Sequence, residues 1–216
     1  MTVRPARHYR SPQREEQANA TRRNILDAAE RLFAEHGFAG VNMQRIASEA
    51  GVSLATVYLY FPGKAAMVSA MADAITASPD LSVEQVEQEA VPTQQLRVGA
   101  GIIRRLNERS WIVADALRSA HGADEGLAEA WLLWQERHLH AVERAVRALD
   151  SRGALREGLS AVRATDALYA LAGTDVFRAL VRDRGWSPDD YEEWLFELAC
   201  REVLGEFPPA DVVTGS

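Results

Sequence analysis

The chain has little of what disulfide-bonded, metal-binding or membrane-spanning proteins need. Its 216 residues contain a single cysteine, Cys200, which excludes an internal disulfide and any zinc site built on several cysteines. No apolar run approaches the roughly 18 residues of a membrane span. The arginine-containing N-terminus is not followed by the apolar stretch of a secretory signal. We therefore expect a cytoplasmic protein without a membrane partner.

Signatures of common enzyme classes are also missing. The sequence has no phosphate-binding loop, nucleophile elbow or dinucleotide fingerprint. His138 and His140 are two residues apart, which places them on different faces of a helix, so they cannot share one metal ion. Glu136 and His140 have the i, i+4 spacing of a metal-binding pair, but we expect their helix face to be exposed to solvent. Cys200 has no neighbouring histidine and fits a small buried apolar residue. We predict no catalytic residue, no metal site and no cofactor.

Charge is distributed unevenly along the chain. The formal net charge is −7, yet residues 1–64 carry nine Lys or Arg against six Asp or Glu, whereas the remainder carries fifteen against twenty-five. A basic N-terminal part on an acidic body suits a protein that contacts a polyanion at one end, although ordinary scatter of surface charge gives a similar split. The polar, arginine-rich residues 1–18 read as a flexible basic tail, either passive or adding phosphate contacts.

Apolar residues recur with helical spacing throughout, and no strand pattern or internal repeat occurs. We predict an all-α protein whose first helix is capped by Thr21 and ends at His36 and Gly37. The later helices are predicted over residues 64–78, 125–151, 162–184 and 187–204, and residues 94–120 form either one long helix or two abutting helices. Residues 79–93 are predicted as a surface connection, with or without a short helical piece, and 208–216 as a tail. Ser187 followed by Pro188 is a strong start signal for the last helix.

Segment 42–64 has the pattern of a helix, a tight turn and a second helix. Asn42 can cap the first helix, and Gly51 can end it in the left-handed conformation that glycine adopts at little cost. Ser53 can cap the second helix, and Val57 then points into the core. The opposite side of the second helix carries groups of the size that a major groove admits.

These residues closely resemble the TetR family of bacterial transcriptional regulators. The family pattern matches at Ile46, Ala47, Ala50 to Ser53, Thr56, Tyr58, Tyr60, Phe61 and Lys64. Leu54 departs from it, since family members often carry lysine or another polar residue there, and Leu59 stands where a polar or aromatic residue is common. The resemblance covers the first third of the chain. It implies a three-helix helix-turn-helix DNA-binding domain over residues 19–66, followed by a helical effector-binding and dimerisation domain over 67–207.

The helix pattern and the resemblance together assign residues to double-stranded DNA. We expect phosphate contacts from Thr21, Arg22, Tyr60 and Lys64, contacts to phosphate or the groove edge from Gln44 and Arg45, and a recognition surface formed by Ser53, Leu54, Ala55, Thr56, Tyr58 and Leu59. Among these, Leu54 and Leu59 suit thymine methyl groups.

A stripe rich in tryptophan in the second domain has two interpretations. Its members are Trp111, Trp131, Trp134, His138, Tyr169 and Phe177. They can line an apolar cavity that contains a few polar groups, or they can be core. The resemblance implies a small-molecule effector pocket in this domain. We therefore hypothesise that a hydrophobic effector bound there changes the spacing of two DNA-binding heads and weakens operator binding.

The last two predicted helices, 162–184 and 187–204, carry wide apolar stripes. These stripes are either buried within one chain or paired with a second copy, as the corresponding helices are in the TetR family. A dimer holds two recognition helices about 34 Å apart, which a palindromic operator requires. We predict a homodimeric TetR-like repressor that a hydrophobic effector releases from its operator. The alternatives are an activator, a ligand-independent regulator or, in another class, a helical protein-interaction module.

Overall fold

The computed structural model describes residues 12–122 and 125–205, and all regular structure in these residues is helical, as predicted. The chain divides into two compact units, Met1–Met71 and Ala72–Ser216. The division falls within a helix, slightly later than the predicted boundary after residue 66. Within the described ranges, none of the helices combines the length and the apolar character needed to cross a bilayer. The predicted tail over 208–216 lies outside the described residues.

The helix bounds follow the sequence pattern closely in most of the chain. The described residues form α1 (Pro12–His36), α2 (Met43–Glu49), α3 (Leu54–Tyr60), α4 (Lys64–Thr76), α5 (Glu84–Gln88), α6 (Pro92–Ala120), α7 (Glu125–Ser151), α8 (Ala161–Leu171), α9 (Thr174–Phe177) and α10 (Pro188–Ala199). A 3-10 turn over Pro79–Leu81 precedes α5, and wider π-helical turns over Arg178–Asp183 and Cys200–Leu204 follow α9 and α10. The bounds of α7 are those predicted.

The core of the first unit is formed by the apolar stripes of its helices. The buried side chains are Ile25, Ala28, Ala29, Leu32 and Phe33 of α1, Ile46 and Ala47 of α2, Val57 of α3, and the adjacent Val41 and Phe61. A polar contact supplements this packing, because Nδ2 of Asn24 donates to the carbonyl oxygen of Ala50 at 2.8 Å. The contact ties α1 to the turn that follows α2.

The first helix begins earlier than predicted. Because α1 starts at Pro12, residues 12–18 are helical and not part of a flexible tail, while residues 1–11 lie outside the described residues. Thr21 is therefore inside α1 and is not its cap. Its hydroxyl donates to the carbonyl oxygen of Gln17 at 2.9 Å. Residues 13–20 contain no glycine or proline and several strong helix formers, so helix propensity outweighs the capping signal.

In the second unit α6 packs against both α7 and α10. The shared core includes Leu96, Ala100, Val142, Val146, Leu149, Tyr191, Leu195, Phe196 and Cys200. At the surface of the α6–α10 contact, Arg104 donates to Glu192 and to Glu108, at 2.9 Å in each case. Arg97 pairs with Glu193 on the same two helices. Apolar burial and these ion pairs together fix α10 against α6.

The start of α10 follows the predicted capping pattern. Oγ of Ser187 accepts from the backbone N–H of Asp190 at 3.0 Å, and the Asp190 carboxylate accepts in return from the backbone N–H of Ser187 at 3.3 Å. Pro188 occupies the first helical position, where its missing N–H costs nothing. This reciprocal cap stabilises a helix start by about 1 kcal/mol or more.

The helix predicted over 162–184 is broken at Gly173. The backbone there is extended, with φ −62° and ψ 142°, so α8 ends and α9 begins on either side of it. The break leaves the carbonyl oxygen of Ala172 without a helical partner. Asn107 of α6 supplies one, since its Nδ2 donates to this oxygen at 3.3 Å. The apolar spacing continues across the break, which is why the sequence pattern predicts one helix.

Asn107 is the centre of a small buried network at this break. The residue is 1% exposed. Its Nδ2 also donates to the hydroxyl oxygen of Tyr191, at 3.3 Å, and its Oδ1 accepts from the hydroxyl of Thr174 at 3.1 Å. Three elements, α6, the α8–α9 break and α10, are thereby joined through one amide group.

Candidate DNA-binding surface and ligand pocket

Two side-chain caps and one glycine fix the helix-turn-helix of the first unit. Oδ1 of Asn42 accepts from the backbone N–H of Arg45 at 2.9 Å, and Oγ of Ser53 accepts from that of Thr56 at 3.0 Å. Between the two helices Gly51 has a φ of +66°, which residues with a Cβ rarely adopt. The two caps and the glycine turn are thus confirmed, and they set the direction in which α3 presents its outer face.

The outer face of α3 carries two large, strongly exposed side chains. Leu59 is 79% exposed and Tyr58 is 51% exposed. The other predicted recognition residues divide into Ser53 and Ala55, which are exposed, and Leu54, Thr56 and Tyr60, which are half-buried. On α2, Gln44 and Arg45 are exposed, and the Arg45 guanidinium lies against the imidazole of His36. Exposed large apolar side chains clustered on a short helix are typical of a contact surface.

Lys64, at the start of α4, has contacts that the sequence does not predict. Its Nζ donates to the carbonyl oxygens of Phe38, at 2.6 Å, and Val41, at 2.7 Å. The same ammonium lies 4.2 Å from the centroid of the Phe38 ring, and partial burial lowers its pKa. An ammonium has three N–H donors, and two of them are used by these carbonyl oxygens. Lys64 thus holds the loop between α1 and α2.

The two residues predicted for phosphate on α1 lie in its interior. Arg22 is exposed, and its guanidinium carbon is 5.0 Å from the centroid of the Phe61 ring. Thr21 is half-buried, with its hydroxyl donated to the backbone. Neither residue is at a helix N-terminus, so the free N–H groups that supported the assignment of Thr21 are absent at this point.

The second unit contains a cavity of about 810 Å³. Its walls come from α4, the connection that follows α4, and α5 to α10. The lining is predominantly apolar and includes Leu81, Val86, Leu96, Ile102, Ile103, Leu106, Trp134, Ala141, Val142, Leu168 and Leu195. This volume is within the range of pockets that bind drug-sized molecules.

Two of the six residues predicted for a ligand pocket line this cavity, Trp134 and His138. The other four have different surroundings. Phe177 is in the core, edge-on to Tyr191 at 5.1 Å, and Tyr169 packs behind His138 with ring centroids 4.9 Å apart. Trp131 stacks on His121 at 6.1 Å, and the guanidinium of Arg182 lies 4.5 Å from the Trp111 ring. These four side chains do not line this cavity. Helical spacing alone does not distinguish a cavity wall from the layer behind it.

Sequence reasoning missed most of the wall that α6 contributes. Leu96, Ile103 and Leu106 read as core because they belong to an ordinary amphipathic stripe. One signal was available, since Asn107 follows Leu106 and places a polar amide next to that stripe. In the residues that the structure describes, no cluster of three or more His, Cys, Asp or Glu could hold a metal ion.

Comparison with known proteins identifies the class to which this arrangement belongs. The family model for bacterial regulatory proteins of the tetR family matches residues 25–71, which contain the helix-turn-helix. The uncharacterized HTH-type transcriptional regulator YdeS of Bacillus subtilis (strain 168) is 30% identical over 177 residues, which are 76% of this chain and 85% of the relative. The chain is a DNA-binding transcriptional regulator and belongs to the TetR family. Its family members and relatives are regulators and not enzymes.

Solved structures share the fold over about nine-tenths of this chain. NalD, the secondary repressor of the MexAB-OprM multidrug efflux pump in Pseudomonas aeruginosa, is 27% identical and has a TM-score of 0.70, with 89% of this chain and 100% of that chain covered. The SmeT–triclosan complex has the same fold at 24% identity, with a TM-score of 0.71 over 91% of this chain and 99% of that chain.

Proposed function

We propose that this TetR-family regulator is a repressor that binds a palindromic operator as a homodimer. A small hydrophobic effector enters the cavity of the second unit and lowers the affinity for the operator. The observation that carries the proposal is that one chain contains both an exposed, partly apolar face on α3 and an apolar cavity of about 810 Å³. Operator DNA is in the bacterial cytoplasm, so the protein acts there.

The recognition face supports binding to a base sequence and not only to phosphate. Leu59 and Tyr58 project from α3 with large exposed apolar area, and Leu54 lies at the start of the same helix. Apolar side chains on a recognition helix can read thymine methyl groups in the major groove, whereas contacts to phosphate carry no sequence information. Repression rather than activation is supported by NalD, which is named a repressor.

Dimerisation through the last two helices is supported by the apolar groups that they leave exposed. Val162, at the start of α8, is 71% exposed, and Trp186, just before α10, is 37% exposed. Trp186 packs edge-on against Trp194 at 6.1 Å, so the two indoles extend one apolar surface. We expect a dimer mass by light scattering at micromolar concentration, and a monomer mass would contradict this part of the proposal.

The proposed function is tested by selection of the purified protein on random duplexes, followed by titration of the selected duplex at two salt concentrations. We expect an enriched palindrome that binds with nanomolar affinity and with a strong dependence on salt. Absence of any enriched duplex at moderate salt, with or without a cavity ligand, would contradict sequence-specific DNA binding. The selected duplex then serves as the probe for effectors.

Lys64→Ala should weaken binding to all duplex sequences alike and flatten the salt dependence by roughly one unit. The reason is the loss of one cation next to the phosphates. Because two N–H groups of Lys64 hold the carbonyls of Phe38 and Val41, we also expect a lower melting temperature. Arg31→Ala is the matched control, since Arg31 is an exposed cation of the same unit that pairs with Glu49. A lower melting temperature with an unchanged salt slope would assign Lys64 to folding alone.

Substitutions of Trp131 and Trp134, which are one turn apart on α7, should have unequal effects on the effector concentration that releases the operator. Trp134 lines the cavity, whereas Trp131 stacks on His121 away from it. For a compound that releases the operator probe, we expect Trp134→Phe to change the concentration for half-release by about fivefold or more, equivalent to about 1 kcal/mol. Trp131→Phe should leave it near wild type. Equal responses of the two variants would place the effector elsewhere.

A further inference from the structure

The cavity has charged residues on its lining, but their charges are compensated within the unit. Asp73 accepts from Arg137 at 2.9 Å. Arg144 donates to Glu84 at 2.8 Å and, through Nε, to Glu87 at 2.8 Å. These hydrogen bonds lower the pKa of Glu84 and raise the pKa of Arg144. A charged ligand would therefore lose its hydration in an apolar cavity without gaining a counter-ion from these residues.

Two uncharged polar side chains of the wall are also engaged. Nε2 of Gln95 donates to the carbonyl oxygen of Ala145 at 2.8 Å, and its Oε1 accepts from Arg152 at 2.8 Å. Asn107 is committed to the network at the α8–α9 break. A ligand that bonded to either amide would have to displace a protein partner, which would offset most of the gain.

His138 differs from these groups. Although the residue is partly exposed as a whole, its Nε2 is buried and has no hydrogen-bond partner among the described residues. The ring is held by Tyr169, whose centroid is 4.9 Å away, and it lines the cavity. Burial lowers the pKa of His138 to about 4, so the ring is neutral near pH 7. A neutral imidazole has one N–H and one acceptor nitrogen.

We propose that the cavity takes a neutral, predominantly apolar molecule whose single hydroxyl group bonds to Nε2 of His138. A hydroxyl both donates and accepts, so it satisfies this nitrogen in either tautomer. A carboxylate cannot donate, and an ammonium brings a charge that the lining does not compensate. The inference rests on the proposed function in one respect only, namely that the cavity is the effector site.

The choice of a mostly apolar molecule follows from the rest of the wall. A polar group of the ligand that forms a hydrogen bond in the cavity adds only modestly to the affinity. A polar group placed against Leu96, Leu106 or Leu168 would lose its hydration without any compensating hydrogen bond. Affinity must therefore come mainly from apolar area, and the hydroxyl fixes the orientation.

The test uses three ten-carbon probes that differ in one group, 1-decanol, decanoate and decylammonium. Each is titrated into the purified protein at pH 7.5, without DNA, by calorimetry. We expect 1-decanol to bind at least about tenfold more tightly than either ion, because the ions are buried uncompensated. His138→Phe should weaken 1-decanol about fivefold, the effect of one lost hydrogen bond. His121→Phe, which replaces an imidazole outside the lining, should leave the affinity unchanged.

Three results would overturn the inference: no binding of 1-decanol, binding of either ion as tight as that of 1-decanol, or equal affinity of His138→Phe and wild type for 1-decanol. His138→Phe also removes a buried nitrogen that has no partner, so we expect the variant to fold. Operator selection on the same preparations separates the two proposals. An enriched palindrome with any of these three results would refute the ligand class alone, and selective binding of 1-decanol without an enriched duplex would refute the proposed regulator alone.

Discussion

Asn107→Ala should lower the free energy of unfolding of the second unit by about 3 kcal/mol. The substitution removes the donor to the carbonyl oxygen of Ala172 and to the hydroxyl of Tyr191, and the acceptor for Thr174. Each of these partners would then be left inside the unit with an unpaired polar atom, at about 1–3 kcal/mol each before relaxation. Because the cavity is adjacent, water can enter and recover part of this loss. Chemical denaturation monitored by circular dichroism gives the difference.

Glu108→Ala is a suitable control for this measurement. Glu108 is the next residue of α6 and forms a partly exposed i, i+4 ion pair with Arg104. Loss of such a pair typically costs less than about 1 kcal/mol. A double-mutant cycle of Asn107→Ala with Thr174→Val then isolates the hydrogen bond across the break. A loss below about 1 kcal/mol for Asn107→Ala would mean that the break between α8 and α9 is held by apolar packing.

His138 should make the second unit less stable in mild acid. Burial lowers its pKa to about 4, whereas an imidazole in the unfolded chain titrates near 6.5. As the pH falls from 6.5 to 4, the unfolded chain therefore takes up a proton that the folded chain does not, and the free energy of unfolding decreases. The full difference amounts to roughly 3 kcal/mol. Above pH 6.5 both states are neutral at this residue and the effect vanishes.

Comparison of wild type with His138→Phe isolates this contribution. The other ionisable groups of the cavity lining are common to both proteins and cancel in the difference. His140→Phe removes an exposed imidazole from the same helix and controls for the loss of a histidine as such. Parallel curves of stability against pH for wild type and His138→Phe would show that the buried nitrogen is solvated in solution.

Local signals in the sequence were sufficient for most of the helices and for the helix-turn-helix. The α7 bounds and the caps at Asn42, Ser53 and Ser187 depend on residues close in sequence, so that pattern and capping chemistry determine them. The exposed side of α3, to which we assign the DNA contacts, could be predicted for the same reason, since α3 is short and the buried Val57 marks its inner side. Their contacts with phosphate or bases remain predictions.

The features that the sequence did not reveal depend on residues far apart in the chain. At the break, the carbonyl oxygen of Ala172 accepts a hydrogen bond from Asn107, which is 65 residues earlier in the chain and on another helix. Likewise, Trp131 and Trp134 belong to one amphipathic stripe, and only the placement of α4 and α6 decides which of them borders the cavity. Periodicity determines which face of a helix is buried, but it does not distinguish burial against another side chain from burial against a cavity.

Lys64 is the only lysine in the 216 residues. A protease specific for lysine therefore has one site of cleavage, which would separate residues 1–64 from residues 65–216. The protease requires an extended substrate, whereas Lys64 begins α4 and its ammonium is bonded to the carbonyls of Phe38 and Val41. Cleavage must therefore wait for local opening. The rate at which the two fragments appear measures how often the start of α4 opens. A change of this rate in the presence of operator DNA would show, without any label, that DNA binding alters the stability of this segment.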